Sequence, residues 1–375
     1  DGGNIDIVGD ADLRANGSGG NGGTDGVTGA GGTGLGGNAL LTVGTPTLLG
    51  NGGRIAVAGS VSASSGAIGG AGFIAGNATG GLTAIVARQG TLDLAQVIAT
   101  VNATGGEGIN GGAGGMGKGG AIEIFAHNAI EGGALLTADS LLAQATALGG
   151  GGGNIFDPNA VGAVGGIAEG GEVSVFGSAG NGQIDIEALN LSANATGGTG
   201  GTAVFDVGGT GGLATGGSVQ LGLASGIDTG AVNSGSARFG TVTATASANG
   251  GEGGSAEIVG GTGGMAVGGG VTLLARGGLV TIDNPSTFEA NATGGTGGFT
   301  NMQGDGGSAV ISNVAGEEFI SGVKLLVTNR FNQVGQRGSL NAAGLSFTAA
   351  ATGGSGTVNG TTSMAQSAIR VQIAN

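Results

Sequence analysis

Short stretches in which apolar and polar residues alternate recur along the chain. One set of these stretches lies at residues 122–124, 173–175, 219–221 and 271–273. A second set lies at residues 5–7, 92–94, 184–186 and 280–282. A third, exemplified by 189–191, runs into a corner of small residues. A period of two residues is typical of β-strands with one buried face. Since no stretch combines a helical period with helix caps, the pattern predicts an all-β fold.

The strand-like stretches belong to a repeat that is marked by pairs of glycines. The first glycines of the successive pairs are Gly19, Gly69, Gly105, Gly149, Gly197, Gly250, Gly294 and Gly353. Their spacing varies from 36 to 59 residues and averages about 48. Self-similarity at a period of this size is the signature of a repeat architecture.

Each repeat divides into a Gly-rich excursion and a half that we predict to form three short strands with corners. One such rung cannot bury its apolar face alone, whereas stacked rungs share a continuous core. We therefore predict a right-handed parallel β-helix, or β-solenoid, of about eight rungs. Its interior columns would bury Ile124, Val175, Ile186 and Val271.

The Gly-rich excursions contain Gly-Gly-X triplets, for example at residues 197–202 and 208–213. A three-residue period is that of a polyproline-II-type helix, which glycine can adopt and in which a bare Cα permits close lateral packing. The alternative is a flexible Gly-rich linker. Because the excursions recur at a fixed place in every rung, we expect ordered, extended loops stacked alongside the solenoid. Residues 197–217 and 250–270 would be the clearest examples.

The composition changes this picture in only a few respects. Of 375 residues 97 are Gly, yet 39% are hydrophobic and only 9% are charged, which argues against disorder. The chain has no Cys and a single His, His127, so we expect no disulfide, no metal, no cofactor and no catalytic site. The net charge of −14 and the thinly spread basic residues argue against nucleic-acid partners. No apolar run is long enough for membrane insertion.

The strand columns, small-residue corners and Gly-bracketed insertions resemble the repeat regions of filamentous-haemagglutinin-type bacterial exoproteins, and similar regions occur in autotransporter passengers. The resemblance covers about residues 1–315, and the secretion domain of that family is not recognisable. Locally, the Gly-Gly-X loops resemble the polyglycine-II bundles of some insect antifreeze proteins and phage adhesin tips. The resemblance implies a bacterial protein that is extracellular or on the cell surface, with a structural or adhesive role.

Two parts of the chain are distinguished by this pattern. Residues 1–315 would hold the solenoid repeats, and 316–375 would hold divergent terminal rungs in which the insertions fade. The alternating stretch 368–373 reads as an edge strand that could serve in assembly. Because the chain opens in the middle of a rung, we expect either a longer covalent parent or head-to-tail association of this unit with itself in a filament.

Two polar columns are candidate sites. Asn16, Asn102, Asn194 and Asn291 would form a structural corner ladder, in which asparagine tolerates left-handed backbone and its amides stack. All four also begin glycosylation sequons, so glycan attachment is the alternative. Asp6, Asp93 and Asp185 would point outward from a strand, as a solvated row or a weak calcium site.

Three functions remain open at this point. The leading hypothesis is a structural or adhesive segment that projects, associates with itself and adheres, with surface glycans as a candidate partner. The second is a carbohydrate- or ice-binding module, although the alternation of Thr243 and Thr245 does not recur in the sequence. The third is a polysaccharide-active enzyme, for which the only acidic pair is Glu317 and Glu318, with Lys324 nearby.

Overall fold

The computed structural model shows a parallel β-helix in which eight successive rungs stack into four sheets. It describes residues 3–22, 29–44, 52–127, 133–157, 160–178, 182–224, 235–299, 302–311, 321–328, 338–364 and 368–374. Every strand pairing recorded between rungs is parallel. The predicted all-β parallel β-solenoid is therefore confirmed.

Each rung visits the four sheets in the same order, which gives the strands the following bounds. Sheet 1 contains Asn4–Ile7, Ala11–Arg14, Arg54–Ser64, Gly90–Thr100, Ala134–Gln144, Gly182–Ser192, Ser236–Thr245, Leu279–Ile282, Ser286–Glu289, Ser339–Ala342 and Leu345–Thr348. Sheet 2 contains Gly17–Ser18, Ala67–Ile68, Ala103–Thr104, Ala147–Leu148, Ala195–Thr196, Ala248–Asn249, Ala292–Thr293 and Ala351–Thr352. Sheet 3 contains Gly34–Leu35, Ala78–Thr79, Gly117–Lys118, Ala168–Glu169, Ala214–Thr215, Ala266–Val267, Ala309–Ile311 and Thr362–Met364. Sheet 4 contains Asn38–Val43, Leu82–Ala87, Ala121–Ala126, Glu172–Ser178, Ser218–Ala224, Gly270–Arg276, Gly322–Thr328 and Ile369–Ala374.

The rung differs from the predicted three short strands. The second and third strand columns belong to one strand of up to 11 residues, as in Gly90–Thr100. Its pairing is interrupted between Leu94 and Gln96, and the same break separates the two halves in rungs 1, 7 and 8. This interruption is why the sequence shows two short alternating stretches. The corners also form strands: each corner pairs with the equivalent corners of the neighbouring rungs, which gives the short strands of sheets 2 and 3.

The main core lies between sheets 1 and 4. Ile124 and Val175 from sheet 4 and Ile186 from sheet 1 are fully buried, as is Val271. Each belongs to a column of apolar side chains that continues from rung to rung, as in the pairing of Ile124 with Val175. The predicted interior columns are confirmed. Because neighbouring rungs lie about 4.8 Å apart, aliphatic side chains fill most of the interior, with Phe239 and Phe288 buried among them.

Small residues close the solenoid where the Gly-rich excursion leaves it. A separate cluster of buried alanines joins sheet 2 to sheet 3, with Ala195 and Ala214 as its members in rung 5. Beside it the second glycine of each corner pair donates to a carbonyl of the opposite wall, as Gly217 does to Ala193 at 2.7 Å. The corners are therefore built from Ala and Gly because two backbones meet there.

The segment that we separated at residue 316 joins the same four sheets. Its last rung contributes Leu345–Thr348 to sheet 1 and Ile369–Ala374 to sheet 4. The final strand pairs in parallel with Gly322–Thr328 and ends sheet 4. A shortened excursion, 353–360, is present in this rung and packs with the others.

Candidate functional site: a polyglycine slab beside the solenoid

The Gly-rich excursions of all eight rungs pack into a single flat body, here called the slab. Each excursion has an outgoing segment that continues sheet 2 and an incoming segment that leads into sheet 3. In rung 5 these segments are residues 197–202 and 208–213. Outgoing segments stack on one another to form an outgoing layer, incoming segments form an incoming layer, and the two layers face each other.

Two of the three amides in each Gly-Gly-X triplet form backbone hydrogen bonds. The first glycine bonds within its layer, as Gly197 donates to the carbonyl of Asn249 in the next rung at 2.9 Å. The second glycine bonds across the layers, as Gly212 donates to Gly198 at 2.7 Å. Nearer the solenoid, these bonds form a continuous zigzag through the glycines at 20, 32, 70, 76, 106, 115, 150, 166, 198, 212, 251, 264, 295, 307, 354 and 360. A second zigzag, nearer the free edge, runs through residues 163, 201, 209, 254, 261, 298 and 304.

Close approach of neighbouring segments, both within a layer and across the two layers, explains the need for glycine. A Cβ added at Gly198 would lie 1.9 Å from the carbonyl oxygen of Gly150, and one at Gly197 would lie 2.1 Å from that of Gly212. Backbone strain is not the reason, because neither residue has a positive φ. The expected ordered loops that pack laterally are therefore confirmed for 197–217 and 250–270, and a flexible linker is excluded there.

The X residue of each triplet faces outward, and side chains from the preceding rung cap some of its amides. The side chain of Asn154 accepts the N–H of Thr202 at 3.0 Å, and Glu107 accepts that of Gly151 at 2.9 Å. Asn77 does the same for Met116 on the incoming layer. These acceptors replace water for donors that the triplet geometry turns to the surface.

The two outer faces of the slab differ in chemistry. The outgoing face carries mainly hydroxyl, amide and carboxylate groups, and Ile68, Leu148 and Phe299 are exposed apolar exceptions. Its polar residues include Thr196, Thr199, Thr202, Asn249, Glu252, Ser255, Thr293, Thr296 and Ser355. The incoming face is apolar at its centre, where the exposed or half-exposed residues include Val161, Val164, Ile167, Val207, Leu213, Val259, Met265 and Met302. Threonines 210 and 262 lie between these apolar residues, and Thr33, Asn77, Ser308 and Thr361 lie toward the ends.

The free edge of the slab, here called the tip, is also apolar. Phe156 is 78% exposed and Phe205 is 45% exposed, while Phe299, at 68%, occupies the triplet position of Thr202 and so lies on the outgoing face beside the tip. Ile258 lies at the same edge and, with Phe205 and Met302, lines a shallow depression. Exposed apolar side chains clustered at one edge are a feature typical of contact surfaces.

A channel runs along the base of the incoming face, where the slab meets sheet 4. It has a volume of about 720 Å³ and crosses several rungs. Its lining includes the glycine pairs 80–81, 119–120, 170–171, 216–217 and 269 with 270. On the slab side it is bordered by Thr79, Thr215 and an ion pair of 3.4 Å between Lys118 and Glu169. The absence of side chains on the glycine pairs keeps this channel open.

The four predicted corner asparagines lie at equivalent positions, directly before the strands of sheet 2. They occupy alternate rungs, so their amides do not stack on one another. Each Oδ1 instead accepts a backbone N–H from the next rung, as Asn194 does from Ser247 at 2.7 Å. The corresponding acceptors and donors are Asn16 with Gly66, Asn102 with Thr146, and Asn291 with Ala350.

The reason we gave for these asparagines is wrong. Among the described residues, only Asn110 is a non-glycine with a positive φ, so the corner asparagines do not need left-handed backbone. Each asparagine supplies a hydrogen-bond acceptor for a backbone N–H at the corner of the next rung, where the chain turns out of the strand pairing. The amide of Asn194 also donates to Ser192 and Thr245, and a glycan attached there would disturb these bonds.

The aspartate column is neutralised by arginine. Arg54 contacts Asp6 and Asp93 at 2.7 Å each, which joins rungs 1 to 3. Arg238 contacts three carboxylates from rungs 5 to 7, namely Asp185 at 2.7 Å and Glu187 and Asp283 at 2.6 Å. The hydrogen bonds that Arg238 donates to Glu187 and then to Asp185 raise its pKa above the ordinary value. The described residues contain no cluster of acidic or His side chains suited to a metal ion.

The remaining candidates of the sequence analysis are scattered. His127 lies at the end of a sheet 4 strand, half-buried, and burial and then the charge of Arg88 lower its pKa. Lys324 is buried, whereas Glu317 and Glu318 lie outside the described residues. Thr243 pairs with Thr287 of the next rung, but Thr245 pairs with Glu289, so the threonine alternation does not recur between these rungs.

Sequence reasoning missed the arginine clamps and the contrast between the slab faces. The clamps were hidden because the partners of Arg238 lie 45 to 53 residues away in sequence. The contrast between the faces had a signal, since the X residues before the second glycine pair are Met116, Ile167, Leu213 and Met265, whereas those after the first pair are mainly Thr, Ser and Glu.

Within the described ranges, no helix is long or apolar enough to cross a membrane. No protein-family model, no curated protein and no solved structure matches the chain.

Proposed function

We propose that the chain is a structural and adhesive segment of an extracellular bacterial surface or filament protein. The observation that carries the proposal is the slab: a continuous hydrogen-bonded body that runs the length of the solenoid and presents an apolar face and tip to solvent. A solenoid of stacked rungs is an extended, stiff support. An exposed apolar surface of this size is typical of a contact site and is costly for a protein without a partner.

Adhesion can be measured with beads that carry the purified chain. We expect such beads to be retained under flow on alkyl-coated glass several-fold better than on bare glass, because the incoming face and tip are apolar. Electron micrographs of the same material should show rods or filaments. Beads that detach as readily as uncoated ones, together with compact isolated particles, would contradict the proposal.

The extracellular location is proposed from the resemblance to exoprotein repeats, and it has its own test. An antibody raised against the chain should label intact cells of the source organism. Labelling only after permeabilisation would contradict a surface location and leave the adhesive chemistry of the slab to be judged by the bead assay.

A carbohydrate- or ice-binding module is the second candidate. The hydroxyl groups of the outgoing face favour it, since Thr199, Thr202 and Thr296 project from a flat surface, although Glu252 separates Thr199 from Thr296. A glycan array and a measurement of ice-growth inhibition test it directly. A signal in either assay that is lost in Thr199→Lys, a change confined to the outgoing face, would favour this candidate over adhesion through the apolar face.

A further inference from the structure

The incoming face, the tip and the channel are three features of the slab that have complementary shapes. The face is flat and apolar at its centre, the tip carries a ridge of exposed apolar side chains, and the channel is open where Gly pairs replace side chains. All three are on the same side of the molecule or at its edge. Together the face, the tip and the channel form a surface that a second copy of the chain can cover.

We propose that two copies of this chain associate through their incoming faces in a two-fold arrangement. The tip of each slab lies in the channel at the base of the other, and the two apolar faces cover each other. This inference rests on the self-association that is part of the proposed function, and it names the surface. It is a lateral contact, distinct from any end-to-end contact between solenoids.

The spacing of side chains on the incoming face suits such a contact. X residues repeat every three positions, or about 9.3 Å along a polyproline-II-type segment. Along the solenoid axis they repeat every 4.8 Å or so. Ridges such as Ile167–Leu213–Met265 therefore alternate with strips of bare backbone, into which the ridges of a second copy fit. Interdigitation of this kind resembles the dry interfaces between paired sheets.

The area of the face is sufficient for a stable dimer. Eight rungs extend for about 34 Å along the axis, and the nine residue steps from Thr196 to the tip at Phe205 extend for about 28 Å. The face thus covers roughly 900 Å² per copy, which falls in the range of standard protein interfaces.

The distribution of residues over the face also matches that of an interface. Val161, Val164 and Ile167 occupy its centre and are 42 to 57% exposed. Polar residues such as Thr33, Asn77 and Thr361 lie near its two ends. An apolar centre with a polar rim is the arrangement found at specific protein contacts. Because the contact is isologous, it closes as a dimer and leaves the solenoid ends free.

Sedimentation equilibrium of the full chain tests this inference. We expect a monomer–dimer equilibrium in the micromolar range and, for Val164→Lys, a dissociation constant raised at least about 100-fold, because two unpaired charges would be buried. Thr199→Lys is the matched control, since it places the same side chain at an X position on the opposite face. Phe205→Ser should weaken the dimer through the tip, without changing the glycine contacts.

Amide exchange of each variant reports whether the slab stays folded. A chain that remains monomeric at several hundred micromolar would overturn the inference. So would a dimer that tolerates Val164→Lys and is lost in Thr199→Lys. A monomer that binds an octyl resin would show that the apolar face serves another surface. Filaments and bead adhesion that persist without the lateral dimer would overturn this inference and leave the proposed function standing.

Discussion

At the scale of the residue, each Gly-Gly-X triplet assigns one position to each of three tasks. The first position bonds to the neighbouring rung, the second bonds to the facing layer, and the third carries the side chain that solvent or a partner meets. Burial follows this assignment, since Gly197 and Gly198 are buried and Thr199 is exposed. The third position is therefore free to vary, and the two faces of the slab can differ without any change in the backbone.

Asn194 provides a test of the corner hydrogen bonds. We expect Asn194→Ala to lower the free energy of unfolding by about 1 kcal/mol, because the N–H of Ser247 loses its acceptor. Asn190→Ala is the control, since Asn190 is exposed on the adjoining sheet 1 strand. Chemical denaturation of both variants makes the comparison, and equal losses would contradict the specific role of the corner amide.

His127 predicts a pH dependence of stability. Its folded-state pKa is lowered, first by burial and then by Arg88, so the unfolded chain binds a proton more readily. Stability should therefore fall as the pH drops below about 6.5 and level off below the lowered folded-state pKa. Denaturation midpoints at pH 7.5 and 5.5 measure this fall. His127→Gln should reduce it, and an unchanged fall in that variant would assign the effect to other groups.

At the scale of the element, the slab depends on contacts between segments that are distant in sequence, as the strands do. Sheets 1 and 4 derive their stability from buried aliphatic columns, whereas the slab has backbone contacts in place of a side-chain core. The neck between them is a buried alanine cluster. The neck accommodates methyl side chains, whereas the positions between the layers are mostly Gly, with Ala163 as an exception at the position of Gly209 in the next rung.

The glycine requirement can be tested within one triplet. Gly200→Val should destabilise the protein by about 1–3 kcal/mol or more, because its Cβ would lie 2.0 Å from the carbonyl oxygen of Gly209. Thr199→Val introduces the same side chain one position earlier, on the outer surface, and should change stability by less than about 0.5 kcal/mol. Similar losses in the two variants would contradict the close packing of the layers.

The Arg238 clamp should contribute modestly and through charge. The guanidinium is 41% exposed, so Arg238→Ala should cost on the order of 1 kcal/mol in low salt, and the loss should shrink in 1 M salt. Arg14→Ala is the comparison, because Arg14 pairs only with Asp12 of its own strand. A loss for Arg238→Ala that is insensitive to salt would instead indicate packing of its aliphatic stem.

At the scale of the whole molecule, the sequence predicted the solenoid well and the slab only in part. The period of two residues identified Ile124 and Ile186 as interior, because alternation reports burial in strands. The glycine triplets predicted extended, stacked loops. The pairing of the two layers was not predictable, because it depends on bonds such as Gly212 to Gly198 that a repeat period does not specify.

The side-chain partnerships between rungs were less accessible from the sequence. Asn194 and Ser247 are 53 residues apart and their rungs differ in length, so sequence spacing does not align them. The aspartate column was recognisable because each of its three aspartates lies between two apolar residues. Its arginines were missed because Arg54 and Arg238 have different neighbours in sequence.

Amide hydrogen exchange across the slab tests the central claim most directly. Because Gly197, Gly198, Gly211 and Gly212 donate to other chain segments, their amides should be protected to a degree comparable with the core strands. The X residues Thr199 and Thr210, whose N–H groups face outward, should exchange much faster, so that protection repeats with a period of three. Fast exchange at all three triplet positions would show that the excursions are linkers and would contradict the account.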